Sequence, residues 1–254
     1  MVFPRIDAYS ALKSPIHSFD PRAKIISFSI LIFSFAFLND LKAAAFALGF
    51  SLFLVLLSRL PLSFVLDRIK VPLVFFISIL VIMAFTVEGA ELFNLFGLSV
   101  SSEGVLLGTL IVLRALAALF LLLLMLGTCR FEAVLKALYM LKVPGVLVQM
   151  LMFSYRYIFV FIEEFLSMKN AMESKGFQLR GKSSYSLSIL GNAVGVLLVK
   201  SYERGDRVYK AMISKGYTGN PKLFIKFNMK KSDYVLASLL ISLAFCFHLY
   251  PVIL

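Results

Sequence analysis

The chain has 254 residues, 60% of them hydrophobic, a mean hydropathy of +0.91 and a formal net charge of +12. Ordinary globular domains are about 45–50% apolar, so the composition excludes a soluble enzyme or binding module and predicts an integral membrane protein. Cys129 and Cys246 form no metal or redox spacing, and His17 and His248 lie far apart, so neither a disulfide framework nor a histidine-based metal centre is expected.

The leader carries Arg5, Lys13, Arg22 and Lys24 ahead of the first apolar run. That run begins near Ala23 and has no small-residue cleavage site, so it reads as a span rather than a signal peptide. Asp20-Pro21 is an ordinary helix start, with Asp20 and Arg22 expected to begin and anchor the first helix. Five spans are predicted, at about 23–38, 43–57, 71–87, 105–128 and 234–254. The first two fall short of the ~20 residues that a perpendicular helix needs, which predicts tilt or mismatch. Between the second and third spans, 59–70 reads as a basic loop. The loop 88–103 holds Glu88, Glu91 and Glu103 with no Lys or Arg, whereas 130–232 holds 17 Lys/Arg against six Asp/Glu. The positive-inside bias therefore places the N-terminus, the 59–70 loop and residues 129–232 in the cytoplasm, with the C-terminus outside. Attraction of this basic region to anionic lipid is the simpler reading of the same charge excess.

Arg114 falls near the middle of the fourth span, where a charge costs about 2.5–3.5 kcal/mol on insertion scales and must face protein or water. Two roles are open: a polar contact to a partner subunit or a helix hinge, or an internal hydrogen bond to backbone carbonyls or a hydroxyl such as Thr109.

Beyond Gly127, residues 129–143 read as a short amphipathic helix that stops before Pro144. A long helix is predicted from about Val146 to Lys175. Its apolar positions Ile158, Phe161, Phe165, Met168 and Met172 oppose a face of Glu163, Ser167, Asn170 and Ser174. Arg156 with Glu163 or Glu164 is expected to form an internal ion pair that braces the helix, with a mechanistic role as the other reading. A second long helix is predicted over about Tyr185–Lys215, with Ser201 and Gly205 permitting close approach to the first. Glu203–Arg207 and Asp206–Lys210 form i,i+4 pairs on its outer face. Neither long helix reads as apolar enough all round to span a bilayer.

Both helices end alike. Ala171-Met-Glu-Ser-Lys-Gly-Phe177 returns 40 residues later as Ala211-Met-Ile-Ser-Lys-Gly-Tyr217, identical at five of seven positions. Lysine in the last turn and glycine just beyond it are common helix-stop signals, so one copy alone carries little. Two copies predict two equivalent contacts on a partner present twice.

At these residues the chain resembles the transmembrane T component of energy-coupling-factor transporters, and more narrowly its cobalt/nickel-type, CbiQ-like branch. Asp20-Pro-Arg-Ala-Lys24 resembles the family's N-terminal signature. Leu138–Pro144 with Tyr155-Arg-Tyr-Ile-Phe-Val160 and Glu163-Glu164 resembles the approach to its first motif. Lys200-Ser-Tyr-Glu-Arg-Gly-Asp-Arg-Val-Tyr-Lys-Ala-Met212, which includes Arg204 and Arg207, resembles the approach to the second. The family's Ala-Arg-Gly-like triplet reads Ser-Lys-Gly at both sites here, which keeps the charge but loses arginine's planar fork.

The resemblance implies an all-α integral membrane protein of about five transmembrane helices plus a cytoplasmic module of long amphipathic coupling helices. The expected division is 1–128, 129–232 and 233–254. It further implies two ATP-binding cassette ATPase subunits docked on Ala171, Ser174, Lys175, Gly176, Ala211, Ser214, Lys215 and Gly216, and a separate substrate-binding membrane subunit. No cofactor, catalytic residue or nucleic-acid partner is expected, and the cargo would be cobalt or nickel. The same coupling role for a vitamin importer is one alternative. An intramembrane lipid-metabolism enzyme is another, but it would need paired acids, His or Cys near the membrane surface. Residues Gly176–Ser183 satisfy G-x-x-x-x-G-K-[ST] by letter, but a phosphate loop needs a preceding strand, a following helix and a magnesium-holding acid. The chain is therefore expected not to bind ATP.

Overall fold

The computed structural model describes residues 12, 14–95, 98–176, 184–219 and 229–253. These form eight helices and one hairpin: α1 Pro21–Ala36, α2 Leu41–Leu57, α3 Leu62–Thr86, β1 Glu91–Leu95, β2 Leu98–Ser101, α4 Ser102–Gly127, α5 Phe131–Met140, α6 Gly145–Ser174, α7 Ser184–Ser214 and α8 Lys231–Ile253. The chain divides into two compact units, Met1–Ala137 with Lys226–Leu254, and Leu138–Ile225. The all-helical membrane architecture read from the sequence holds, with the hairpin as its one addition.

In the first unit α4 is the hub, packing on α1, α2 and α3, while α8 packs on α1. Phe28, Leu31, Phe35, Ala47, Val55, Ala117, Leu121 and Leu124 form the fully buried centre. The approach of α4 to α3 depends on Gly104 and Gly108. A Cβ on Gly104 would collide with the Met83 carbonyl oxygen, and one on Gly108 would lie 3.2 Å from the Leu80 Cα. Small residues four apart let membrane helices pack backbone to backbone, where dispersion replaces the hydrophobic effect as the driving force.

Three expectations about the spans are corrected. The 59–70 segment is not a loop beyond Pro61, because α3 starts at Leu62 and continues through Pro72. Helical spacing is what pairs its charges: Asp67 and Lys70 bond at 2.7 Å, and the Arg68 guanidinium lies 5.2 Å from the Phe64 ring centre. Pro72 removes one main-chain bond, a loss that helices of membrane proteins tolerate. The acidic 88–103 loop contains the antiparallel hairpin, with Glu91 opposite Ser101 and Leu95 opposite Leu98. Ser101 closes it by capping α4, accepting from the Gly104 N–H at 3.2 Å.

The third correction concerns α6. With α3 and α4, it is one of three helices among the described residues that are long and apolar enough to cross a membrane. Its residues 145–162 contain only Arg156 as a charge. Polar residues are segregated along the helix, not only around it, and a face-by-face reading misses that. By contrast α1 and α2, with 16 and 17 residues, are as short as expected.

Candidate functional site

The two repeated segments fold into equivalent helix ends. α6 stops at Ser174 and α7 at Ser214, so the 40-residue offset in sequence is an identical offset in structure. Gly176 and Gly216 adopt φ of +85° and +84°. Space does not require glycine at either, since a Cβ would meet nothing within 4 Å. The left-handed conformation does.

At the second end the Gly216 N–H donates to the Ile213 carbonyl at 2.8 Å and the Tyr217 N–H to the Met212 carbonyl at 3.0 Å. That pair of bonds is a Schellman closure, which satisfies the last helical carbonyls. At the first end the Gly176 N–H donates to the Glu173 carbonyl at 2.9 Å. Phe177 lies outside the described residues. The serine hydroxyls also match, Ser174 donating to the Asn170 carbonyl at 2.9 Å and Ser214 to the Lys210 carbonyl at 3.0 Å.

Exposure repeats as well. Ala171, Ser174, Lys175 and Gly176 are exposed, as are Ala211, Ser214, Lys215 and Gly216, while Met172 and Met212 are half-buried. Each motif therefore exposes a small lysine-bearing tip and keeps its methionine half-buried; the first also exposes Glu173, 3.6 Å from Lys169, where the second has Ile213. Neither Lys175 nor Lys215 makes an ion pair among the described residues. Their ammonium groups face solvent at the negative ends of two helix dipoles.

What joins the two helices differs from the sequence expectation. Arg156 is exposed and pairs with neither Glu163 nor Glu164, which sit about two turns along the same helix and out of reach. Glu163 is exposed too. Its neighbour Glu164 turns inward and bridges α7, accepting from Lys200 at 2.9 Å and lying 3.5 Å from Arg204. Gly205 is exposed and brings no close approach. The inward face of α7 is instead Ala193, Leu197, Ser201, Arg204, Val208 and Met212, because Arg204 must reach Glu164.

Glu164 and Arg204 each stand ten residues before the end of their helix. Each tip thus extends about 15 Å of helix beyond this contact. The i,i+4 pairs on the outer face form as expected, Arg207–Glu203 at 3.8 Å and Lys210–Asp206 at 2.7 Å. A tie that sequence reading missed holds the second end: the Tyr217 hydroxyl donates to the Gln149 side-chain carbonyl at 2.6 Å. The phenylalanine at the equivalent position of the first repeat has no hydroxyl to do this.

In the other unit, Asp20 caps α1, accepting from the Arg22 N–H at 2.9 Å while its carboxylate meets the Arg22 guanidinium at 3.3 Å. Beside it Lys24 is completely buried. Its ammonium donates to the Thr128 hydroxyl at 3.1 Å and lies 3.2 Å from Cys129 Sγ, pinning the start of α1 to the corner between α4 and α5. The sequence marks Lys24 as a basic leader residue and as the last residue of the N-terminal signature, but gives it no partner. Arg114 Nη1 donates to the Ala36 carbonyl at 3.1 Å, at the last turn of α1. Its partner there is thus a backbone carbonyl, while the Thr109 hydroxyl donates to the Val105 carbonyl of its own helix. Of the P-loop-like run, Gly176 ends α6, and 177–183 lie outside the described residues.

Among the described residues the chain combines a bundle of apolar helices with two matched helix ends that each expose a lysine. The family described as cobalt transport protein, CbiQ, matches residues 12–224, and this chain belongs to it. Its relatives include an uncharacterized protein of Methanocaldococcus jannaschii, 30% identical over 89% of this chain and 85% of its own length. A second uncharacterized protein of that organism is 27% identical over 93% and 83%. The energy-coupling factor transporter transmembrane protein EcfT of Streptococcus equi subsp. equi is 29% identical over 81% and 80%. The chain is thus a CbiQ-like transmembrane T component of the energy-coupling-factor class.

Proposed function

We propose that this chain couples two ATPase subunits, docked one at each of the ends Ser174-Lys175-Gly176 and Ser214-Lys215-Gly216, to a separate membrane subunit that binds cobalt or nickel. The observation that carries this reading is the structural equivalence of the two ends. They share the same glycine conformation, the same serine back-bond and the same exposed lysine. A partner present in two copies needs two such seats, whereas a single partner does not. ATP hydrolysis then belongs to the partners, and this chain contributes no catalytic group.

Residues 129–232 face the cytoplasm in this reading, with the apolar first half of α6 against the bilayer and the C-terminus outside. The charge asymmetry supports that orientation. The Glu164 bridge supports the lever role, since two long helices fixed at one contact carry displacement between discrete arrangements instead of bending separately. The family's description as a cobalt transport protein favours a metal cargo. Single cysteines placed at positions 174 and 214 test the docking. Each should cross-link to an ATPase subunit in native membranes, and metal uptake should require both ATPase copies. Cross-linking at one end only would refute the two-seat arrangement.

A further inference from the structure

A groove of about 350 Å³ opens between α2 and α8 in the first unit. It arises because α2 packs chiefly on α4 and α8 on α1, leaving the two without a broad mutual interface. Ala43, Phe46 and Phe50 form one wall and Leu243, Cys246 and Phe247 the other, with Lys42 completing the lining. The α8 wall is held in place. Phe247 stacks edge-to-face on the buried Phe35 at 5.4 Å, and the Ser34 hydroxyl donates to the Ala244 carbonyl at 3.1 Å.

We propose that this groove binds one anionic membrane phospholipid, its acyl chain between Phe46, Phe50 and Phe247 and its phosphate on Lys42. Dimensions support this. Residues 42 to 50 span about 12 Å of helix, close to the ~15 Å hydrocarbon depth of one leaflet. Charge supports it too. Lys42 is exposed in the first turn of α2 and, among the described residues, is the one charged group that lines the groove. Asp40, two residues earlier, is exposed, does not line the groove and makes no side-chain cap on α2. The positive end of the α2 dipole therefore lies beside Lys42 without a side-chain cap from Asp40. A free phosphate would leave the three phenylalanines without an occupant, and a neutral lipid would leave Lys42 without one.

The chain contains no tryptophan, so Phe46→Trp installs a single fluorescent reporter in the groove. The full-length variant, alone and with the subunits that co-purify with it, is reconstituted in bilayers containing phosphatidylglycerol or phosphatidylcholine brominated at the same acyl position. Brominated phosphatidylglycerol should quench the tryptophan at an about fivefold lower mole fraction, the size expected of one lysine near an anionic headgroup. Lys42→Gln in the same background should abolish that preference while leaving the emission maximum unchanged, which shows that the groove is intact. Equal quenching by the two lipids would overturn the proposal. So would a preference that survives Lys42→Gln, or loss of all quenching in the assembled transporter, which would assign the groove to a protein partner.

Discussion

Reversing the charge at the two coupling ends separates docking from mere helix capping. In the isolated chain Lys175 and Lys215 are exposed and make no ion pair among the described residues. What they lose internally on mutation to Glu is the interaction with the helix dipole, about 0.3–1 kcal/mol. Gly176 and Gly216 still close the helices through their own N–H bonds, so folding and membrane insertion should be normal. At a desolvated contact with an acidic or carbonyl-lined groove the scale changes. Removing one member of such a charge pair costs about 2–5 kcal/mol, which weakens binding by about 30-fold to several thousand-fold. Reversal should cost at least as much. In the proposed arrangement the two tips meet separate partners, so the losses should add. Lys175→Glu or Lys215→Glu should therefore reduce ATPase subunits retained on the affinity-purified complex, and the double variant should abolish metal uptake. Lys→Arg at either site should be tolerated, since it keeps the cation and adds donors. ATPase retention and transport measured in parallel decide the matter. Full retention and full uptake in the double variant would refute the docking role.

Four further outcomes are expected. The purified chain should show no saturable binding of labelled ATP; binding that disappears in Lys182→Ala would restore the phosphate loop. Glu103→Cys should react with an impermeant thiol reagent from outside and Ser184→Cys should not, in a background lacking Cys129 and Cys246; the reverse pattern would invert the topology. Gly104→Ala should lower the detergent melting temperature through a clash worth about 1–3 kcal/mol against the α3 backbone, whereas Gly49→Ala, with nothing within 4 Å of its added Cβ, should leave it unchanged or slightly raised. Glu164→Gln should broaden the distance distribution between spin labels at positions 174 and 214, because Lys200 and Arg204 lose their common partner; an unchanged distribution would mean that the bridge does not hold the ends in register.

Local chemistry decided much of this protein before any packing is considered. The start of α1 at Asp20-Pro21, the stop of α5 ahead of Pro144, and both ends of α6 and α7 follow from capping residues, proline and hydrophobic period. Those signals act within one or two turns, and the chain displays them directly. The repeated Ser-Lys-Gly ends were legible for the same reason: the closing bonds join residues three to five apart. Contacts between helices obey no such short range. Glu163 and Glu164 are adjacent and chemically alike, and only the rotation of α6 against α7 selects Glu164 to bridge Lys200 and Arg204. That rotation also turns Gly205 outward. The proximity of Lys24 to Thr128 and Cys129 spans more than 100 residues, and burial of a lysine is rational only once those acceptors surround it. The seats of Gly104 and Gly108 on α3, and the groove between α2 and α8, likewise exist because of which helices pack together. Periodicity states that a face is apolar, but only tertiary packing chooses the helix that covers it.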